Sequence, residues 1–316
     1  MKIPGATIVQ LDKMPGENEI QKWGLTDYVG AVTDGIYGAV GFDFKSPHTG
    51  LAAKKAWFFF DKTYVCLGTN ISSRMKNQVL TTVNQCLLNG EVTVSDADGI
   101  HQQEQGSRLK KEVRWVVHDK VGYYFLKKEN IILSNQRTEG SWKIANRQTT
   151  TPADIIRQDV FSLSVDHGRS PNNSDYAYMV IPSSDPLSIE KQVEEEGVVI
   201  LANCPDVQAV RHDGLNMAYA VFYKGGTLRV HDKIVVEMDS PGMLMMKYND
   251  AGEILALGVS DPTRFMKKLH LSVNQKIVGS AQENIQTEWD EKQALTRIAV
   301  DLPQNEYAGK SVIYNK

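Results

Sequence analysis

The sequence has 316 residues, 41% hydrophobic and 23% charged, with a formal net charge of −3. That length suits two domains, and the composition can bury a sizeable core. So small a net charge gives no global basic field for nucleic acid or an anionic membrane surface, and an anionic ligand must meet local basic clusters.

The N-terminus, Met1-Lys-Ile-Pro-Gly-Ala-Thr, lacks the apolar run of a signal peptide and enters a turn at Pro4-Gly5. So abrupt a start is expected of a domain cut from something longer. No stretch approaches 18 uninterrupted apolar residues, so no membrane-spanning helix and no membrane partner are expected. Residues 37–44 read as the first clear strand. Residues 56–60, the aromatic run Trp57-Phe58-Phe59-Phe60, and residues 63–67 follow, with Asp61-Lys62 as a hairpin turn between them.

Residues 77–88 are ambiguous. Val79, Leu80, Val83 and Leu87 have helical spacing, whereas Leu80-Thr81-Thr82-Val83 is β-branched and favours a strand. Strands are predicted at 113–117 and 123–126, around His118-Asp-Lys-Val-Gly122, and at 161–165 and 176–181. The polar stretch 183–197 is the best internal boundary; within it Ser188 caps a predicted helix over 188–196. Beyond it come short strands at 198–201, 217–223, 227–230, 233–238, 243–248, 253–259, 270–273, 298–302 and 311–314. The expectation is an all-β fold with under about 15% helix, against a third in ordinary globular proteins.

Cys66, Cys86 and Cys204 are odd in number and lack CxxC spacing, so they are read as small buried apolar residues rather than a disulfide framework or zinc ribbon. No GxSxG, phosphate-binding loop or HExxH motif is present. Asp96-Ala-Asp98-Gly99, with His101 and Glu104 nearby, is a fragment of a calcium loop. It lacks the third oxygen ligand and the distal glutamate, so a turn is the better reading and no cofactor is expected. Lys54-Lys55 and the run Arg108, Lys110, Lys111, Arg114 are the candidate polyanion contacts; the plainer reading of each is a solvated strand edge.

Two segments offer chemistry. Asp166-His167-Gly168 follows the 161–165 strand and precedes a loop that opens with Arg169; it suits acid–base work or a turn histidine bonded to backbone. Thr33-Asp34-Gly35-Ile36-Tyr37-Gly38 sets a carboxylate and a phenol beside glycines that let a polymer approach the backbone; it also reads as a hairpin turn.

Seven segments in order carry a specific resemblance: "GAVTDGIYGAVGFDF", "LAAKKAWFFFDKTYVCLGTNI", "VLTTVNQCLL", "GSWKIAN", "FSLSVDHG", "DYAYMVIP" and "VILANCPDVQAVRH". Together they resemble the β portion of polysaccharide lyase family eight, the chondroitin, hyaluronan and xanthan lyases, over most of residues 2–261. The resemblance implies a large β supersandwich, galactose-mutarotase-like, over about 1–190 and a smaller C-terminal β-sandwich over 191–316. It implies an acidic, uronic-acid-containing polysaccharide as partner, a secreted or periplasmic location, and catalytic Asn, His, Tyr and Arg on a helical toroid that these residues do not contain. The chain alone is then expected to be inactive. Asp34 and Tyr37 are the cleft-wall candidates, with Lys54, Lys55, His167 and Arg169 as further substrate contacts, and the aromatic run becomes a core strand buried on both faces. Rival readings are a non-catalytic carbohydrate-binding protein and a mutarotase-like epimerase using His167 and Asp166.

Overall fold

The computed structural model describes residues 2–13, 16, 21, 23–146, 148–277 and 283–316. It is 57% strand and 6% helix. Strands β1 (Thr7–Val9), β2 (Val29–Thr33), β3 (Gly38–Lys45), β4 (Ala52–Phe59), β5 (Tyr64–Ser72) and β6 (Gln78–Leu87) come first. Next are β7 (Val92–Asp96), β8 (Gly99–Gln102), β9 (Ser107–His118), β10 (Val121–Gly140), β11 (Ile156–Arg169) and β12 (Ser174–Pro182), with a one-turn helix α1 (Trp142–Ala145) between β10 and β11. These twelve strands make the large antiparallel sheet. Helix α2 (Ile189–Glu196) follows, starting one residue after the predicted Ser188.

The rest of the chain builds two smaller sheets. One joins β13 (Val198–Asn203), β14 (Val207–His212), β15 (Met217–Phe222), β18 (Gly242–Tyr248), β19 (Ile254–Ser260) and β23 (Val312–Asn315). The other joins β16 (Gly226–His231), β17 (Ile234–Met238), β20 (Lys268–Val273), β22 (Leu295–Asp301) and β21 (Ile285–Asp290), in that spatial order.

The strands fall into two compact units that are not consecutive in sequence. The first holds Met1–Met14, Arg74–Pro171 and Tyr178–Ile189. Here β6 lies between β1 and β11, and β10 pairs with β9, β11 and the Tyr178–Pro182 part of β12. Residues 77–88 thus resolve as strand. Thr81 and Thr82 are fully buried, and a β-branched run with a partner on each side gains ladder bonds along both edges that a helix would forgo. The β9–β10 turn takes positive φ at Asp119 (47°) and Lys120 (60°), as a tight two-residue hairpin requires.

The second unit holds Pro15–Ser73, Asn172–Ala177 and Glu190–Lys316. Its five- and six-stranded sheets bury one another's inner faces, with Phe222, Leu244, Met246, Leu271, Ile298 and Val300 in a common core. That is a β-sandwich. The outer face of the six-stranded sheet carries Tyr219 and Val221, which meet β2–β5: Phe58 lies 6.1 Å from the Tyr219 ring, and a Cβ on Gly41 would come within 2.6 Å of Val221 Cγ1. Tyr28 donates to the Phe222 and Gly242 carbonyls at 3.0 and 3.1 Å, tying the chain entering β2 to β15 and β18.

The aromatic run is not buried on both faces, as expected above. Phe58 in β4 is fully buried and Phe60 just beyond it nearly so, but Trp57 is half-buried and Phe59 is 43% exposed. Strand alternation sends successive side chains to opposite faces, and only the face carrying Phe58 packs on β15. Nor is the Lys54-Lys55 pair at an edge: β4 is hydrogen-bonded to β3 on one side and β5 on the other.

Candidate functional site

The 33–38 segment is a tight turn between β2 and β3 that the sequence specifies in detail. The Asp34 carboxylate accepts from the backbone N–H of Ile36 at 3.0 Å and of Tyr37 at 2.8 Å, closing the turn on itself. Thr33 Oγ1 accepts from the Gly35 N–H and donates to the Tyr37 carbonyl. Gly35 sits at φ +94°, where an L side chain is strained, so glycine is required there.

The other Asp34 oxygen meets Lys247 Nζ at 2.8 Å, and the same ammonium lies 4.8 Å above the Tyr37 ring. Burial alone pushes the Asp34 carboxyl up. The Lys247 hydrogen bond and the two backbone N–H groups outweigh it and hold the carboxyl below the usual carboxylate range. Carboxylate, ammonium and phenol thus form one half-buried, hydrogen-bonding cluster on the second unit, suited to a hydroxyl-rich ligand. Lys247 escaped the sequence reading. It lies inside the apolar-rich β18, and only the register of β18 against β15, Lys247 opposite Met217, aims it this way.

Lys54 and Lys55 part company. Lys54 is half-buried, its ammonium 3.9 Å from Asp43 Oδ2 and 4.3 Å above the Tyr223 ring, and burial lowers its pKa despite Asp43. Lys55, on the opposite face, is buried, with its ammonium 5.1 Å from the Trp57 ring centre. Burial pulls its pKa down to about 8. As placed, the Lys55 ammonium is covered rather than presented at the surface.

In the first unit, Asp166-His167-Gly168 sits at a strand end, as the sequence indicates, because β11 stops at Arg169. It lies within β11, at a bulge where the pairing with β6 slips between Asp166 and Arg169 and Gly168 takes φ +74°. Asp166 Oδ1 accepts from Gln78 Nε2 at 3.0 Å and from the Gly168 N–H at 2.9 Å. His167 Nε2 meets the Thr81 hydroxyl at 2.7 Å, and that hydroxyl meets Thr7 Oγ1 at 2.8 Å. Exposed Arg169 donates to the Lys76 carbonyl. The bulge thus re-aims His167 and Arg169 while Asp166 braces it. The six candidate residues fall into two groups: Asp34, Tyr37, Lys54 and Lys55 in the second unit, His167 and Arg169 in the first.

Asp96-Ala-Asp98-Gly99 is the β7–β8 turn, with the Asp98 N–H on Asp96 Oδ1. Lys110 Nζ contacts Asp96 Oδ2 at 3.0 Å and His101 Nε2 at 2.9 Å. Glu104 pairs with Arg108. The basic run 108–114 lies where β9 pairs with β10 alone, so there the solvated-edge reading fits.

Residues 1–193 match the family model for the polysaccharide lyase family 8 super-sandwich domain, and residues 199–270 match that for the family's C-terminal beta-sandwich domain. The chain belongs to polysaccharide lyase family 8. It is 34% identical to chondroitinase-AC of Pedobacter heparinus over 98% of this chain and 41% of that protein. It is 27% identical to a hyaluronate lyase of Thermasporomyces composti over 98% of this chain and 39% of that one. It is also similar to the solved structure of chondroitinase AC lyase from a study of enzyme–oligosaccharide complexes, with a TM-score of 0.83 at 34% identity over 99% of this chain and 43% of that one. A Paenibacillus xanthan lyase shares the fold, with a TM-score of 0.84 at 22% identity over 99% of this chain and 30% of that one. The chain spans about two fifths of the length of the chondroitinase and the hyaluronate lyase.

Proposed function

We propose that these residues are the β portion of a lyase that cleaves a uronic-acid-containing polysaccharide by β-elimination, and that they serve as substrate-binding wall rather than as the source of the reacting groups. The observation that carries the reading is the succession of the two family domains along a chain 34% identical to chondroitinase-AC over nearly its whole length. β-Elimination across a uronic acid needs the carboxylate neutralised, the proton at C5 removed and the leaving O4 protonated. Asp34 is engaged by Lys247 and by its own turn, and His167 by Thr81. Their bonds favour positioning. Tyr37 and Lys247 supply a hydroxyl and a positive charge to a sugar acid, with Lys54 as an outlying cation of the same unit. A helical domain supplying base, acid and carboxylate clamp completes the enzyme. A polymer of this kind does not cross a membrane unaided, which favours action outside the cytoplasm.

The test offers chondroitin sulfate and hyaluronan to the purified chain, reading binding by affinity electrophoresis and elimination by the ultraviolet absorbance of the unsaturated uronide. Salt-sensitive binding, weakened by Tyr37→Ala or Lys247→Met and without product, is expected. Product from this chain alone would overturn the division of labour. No binding at low salt would overturn the acidic substrate and leave the rival of a binder for some other carbohydrate.

A further inference from the structure

The outer face of the five-stranded sheet carries a second, differently charged site. Register aligns the side chains in two rows across it. Glu237 stands opposite Ser272, Ser272 opposite Arg297, and Arg297 opposite Glu288. One step along, His270 stands opposite Ala299 and Ala299 opposite Gln286, with Asp239 beside His270 through a backbone bond. All point away from the sandwich core. The middle of each row holds a small residue, Ser272 or Ala299, flanked by longer side chains, so the face is a trough rather than a flat sheet. The trough encloses about 420 Å³, within the range of about 300–1,000 Å³ typical of small-molecule sites.

Its chemistry differs from that of the Asp34–Lys247 cluster. Glu237, Asp239 and Glu288 are exposed, and their carboxylates make no hydrogen bond or ion pair to another described residue. The cation in the rows, Arg297, is already held by Asp290 at 3.3 Å and Gln293 at 2.6 Å. The trough is therefore electronegative and repels a polyanion. Among the described residues its acids do not converge into a metal-binding group. Carboxylates, an amide, a serine hydroxyl and an imidazole spaced along a trough match the hydroxyls of a sugar chain.

We propose that this trough binds a saccharide that carries no acid groups, and so holds the protein to a glycan other than the acidic polymer. The proposal is independent of the function above: the trough and the Asp34 cluster are tested with different ligands and different variants. Amide chemical shifts of the chain would be followed with a neutral β-linked glucose oligosaccharide, a glucosamine oligosaccharide and chondroitin sulfate. The expected result is saturable shifts at Ser272, Ala299 and Gln286 with either of the first two. Ala299→Trp, which fills the trough, and Glu237→Gln, which keeps its shape, should each weaken that binding by about tenfold. Should Ala299→Trp fail to fold, Glu237→Gln decides alone. Absence of shifts with both non-acidic saccharides, unchanged affinity in the folded variants, or displacement by chondroitin sulfate at these residues would each overturn the proposal.

Discussion

Lys247 and Asp34, 213 positions apart in the chain, meet at 2.8 Å, and the pair fixes the turn that presents Tyr37. Because the folded Asp34 carboxyl is held below its ordinary value, its contribution to stability is present above the unfolded carboxylate pKa and is lost as pH falls through the folded one. Lys247→Met should raise the Asp34 pKa, observable by carboxyl NMR titration, at a stability cost of ~1 kcal/mol at neutral pH, as befits a half-exposed pair. Asp34→Asn should keep the turn bonds to Ile36 and Tyr37 and lose only the ion pair; Asp34→Ala should lose both. Equal melting temperatures for the two Asp34 variants would show that the turn does not depend on its side-chain cap.

At Lys55 burial prevails and disfavours the charged form. Its folded pKa, about 8, lies below the unfolded lysine value, so the unfolded chain binds more protons between those limits and stability rises with pH there. The chain should gain ~2 kcal/mol from this group between about pH 8 and 10.5. Subtracting the Lys55→Met profile isolates it, since the other titrating groups are common to both. A difference profile flat across that window would place the Lys55 ammonium in water.

The aromatic run divides by face. Phe58→Ala should cost about 3–5 kcal/mol by opening a cavity against Tyr219. Trp57→Ala removes a half-buried ring and should cost about 1–2 kcal/mol. Chemical denaturation of both variants measures the gap, and a Trp57 cost equal to that of Phe58 would mean that its face is covered.

In the first unit, Thr81→Val should cost about 1–3 kcal/mol, because the hydroxyls of Thr7 and Thr81 and the ring of His167 form one chain and the valine removes its central hydroxyl. Thermal melts measure the cost, and His167 ring resonances should shift in the same variant.

Most strands were legible because alternation and turn chemistry are local. Asp61-Lys62 turns β4 into β5 as the spacing indicated, and helix α2 falls where Ser188 predicted it. What escaped was set by partners. Residues 77–88 satisfied two periodicities, and the choice was made by β1 and β11 on either side. The end of β11 was legible near Gly168 but the bulge there was not, because a left-handed glycine reads alike in a bulge and in a terminating turn. Lysines in β4 looked like edge protection because nothing in their neighbourhood shows how many strands flank them. Lys247 is the clearest case: a lone lysine in an apolar-rich strand carries no local sign of an aspartate more than two hundred residues earlier.

The non-consecutive make-up of the second unit has a consequence for biosynthesis. Residues 15–73 leave the ribosome long before β15 and β18, yet the Tyr28 hydroxyl donates to carbonyls 194 and 214 positions later, and Phe58 and Gly41 await the same strands. In the interval β2–β5 present an uncovered apolar face. Contacts of such separation make folding slow, and the waiting face is the surface on which nascent chains would associate. Stalling translation between residues 190 and 215 should therefore give chains that a holdase retains, and release past residue 260 should free them.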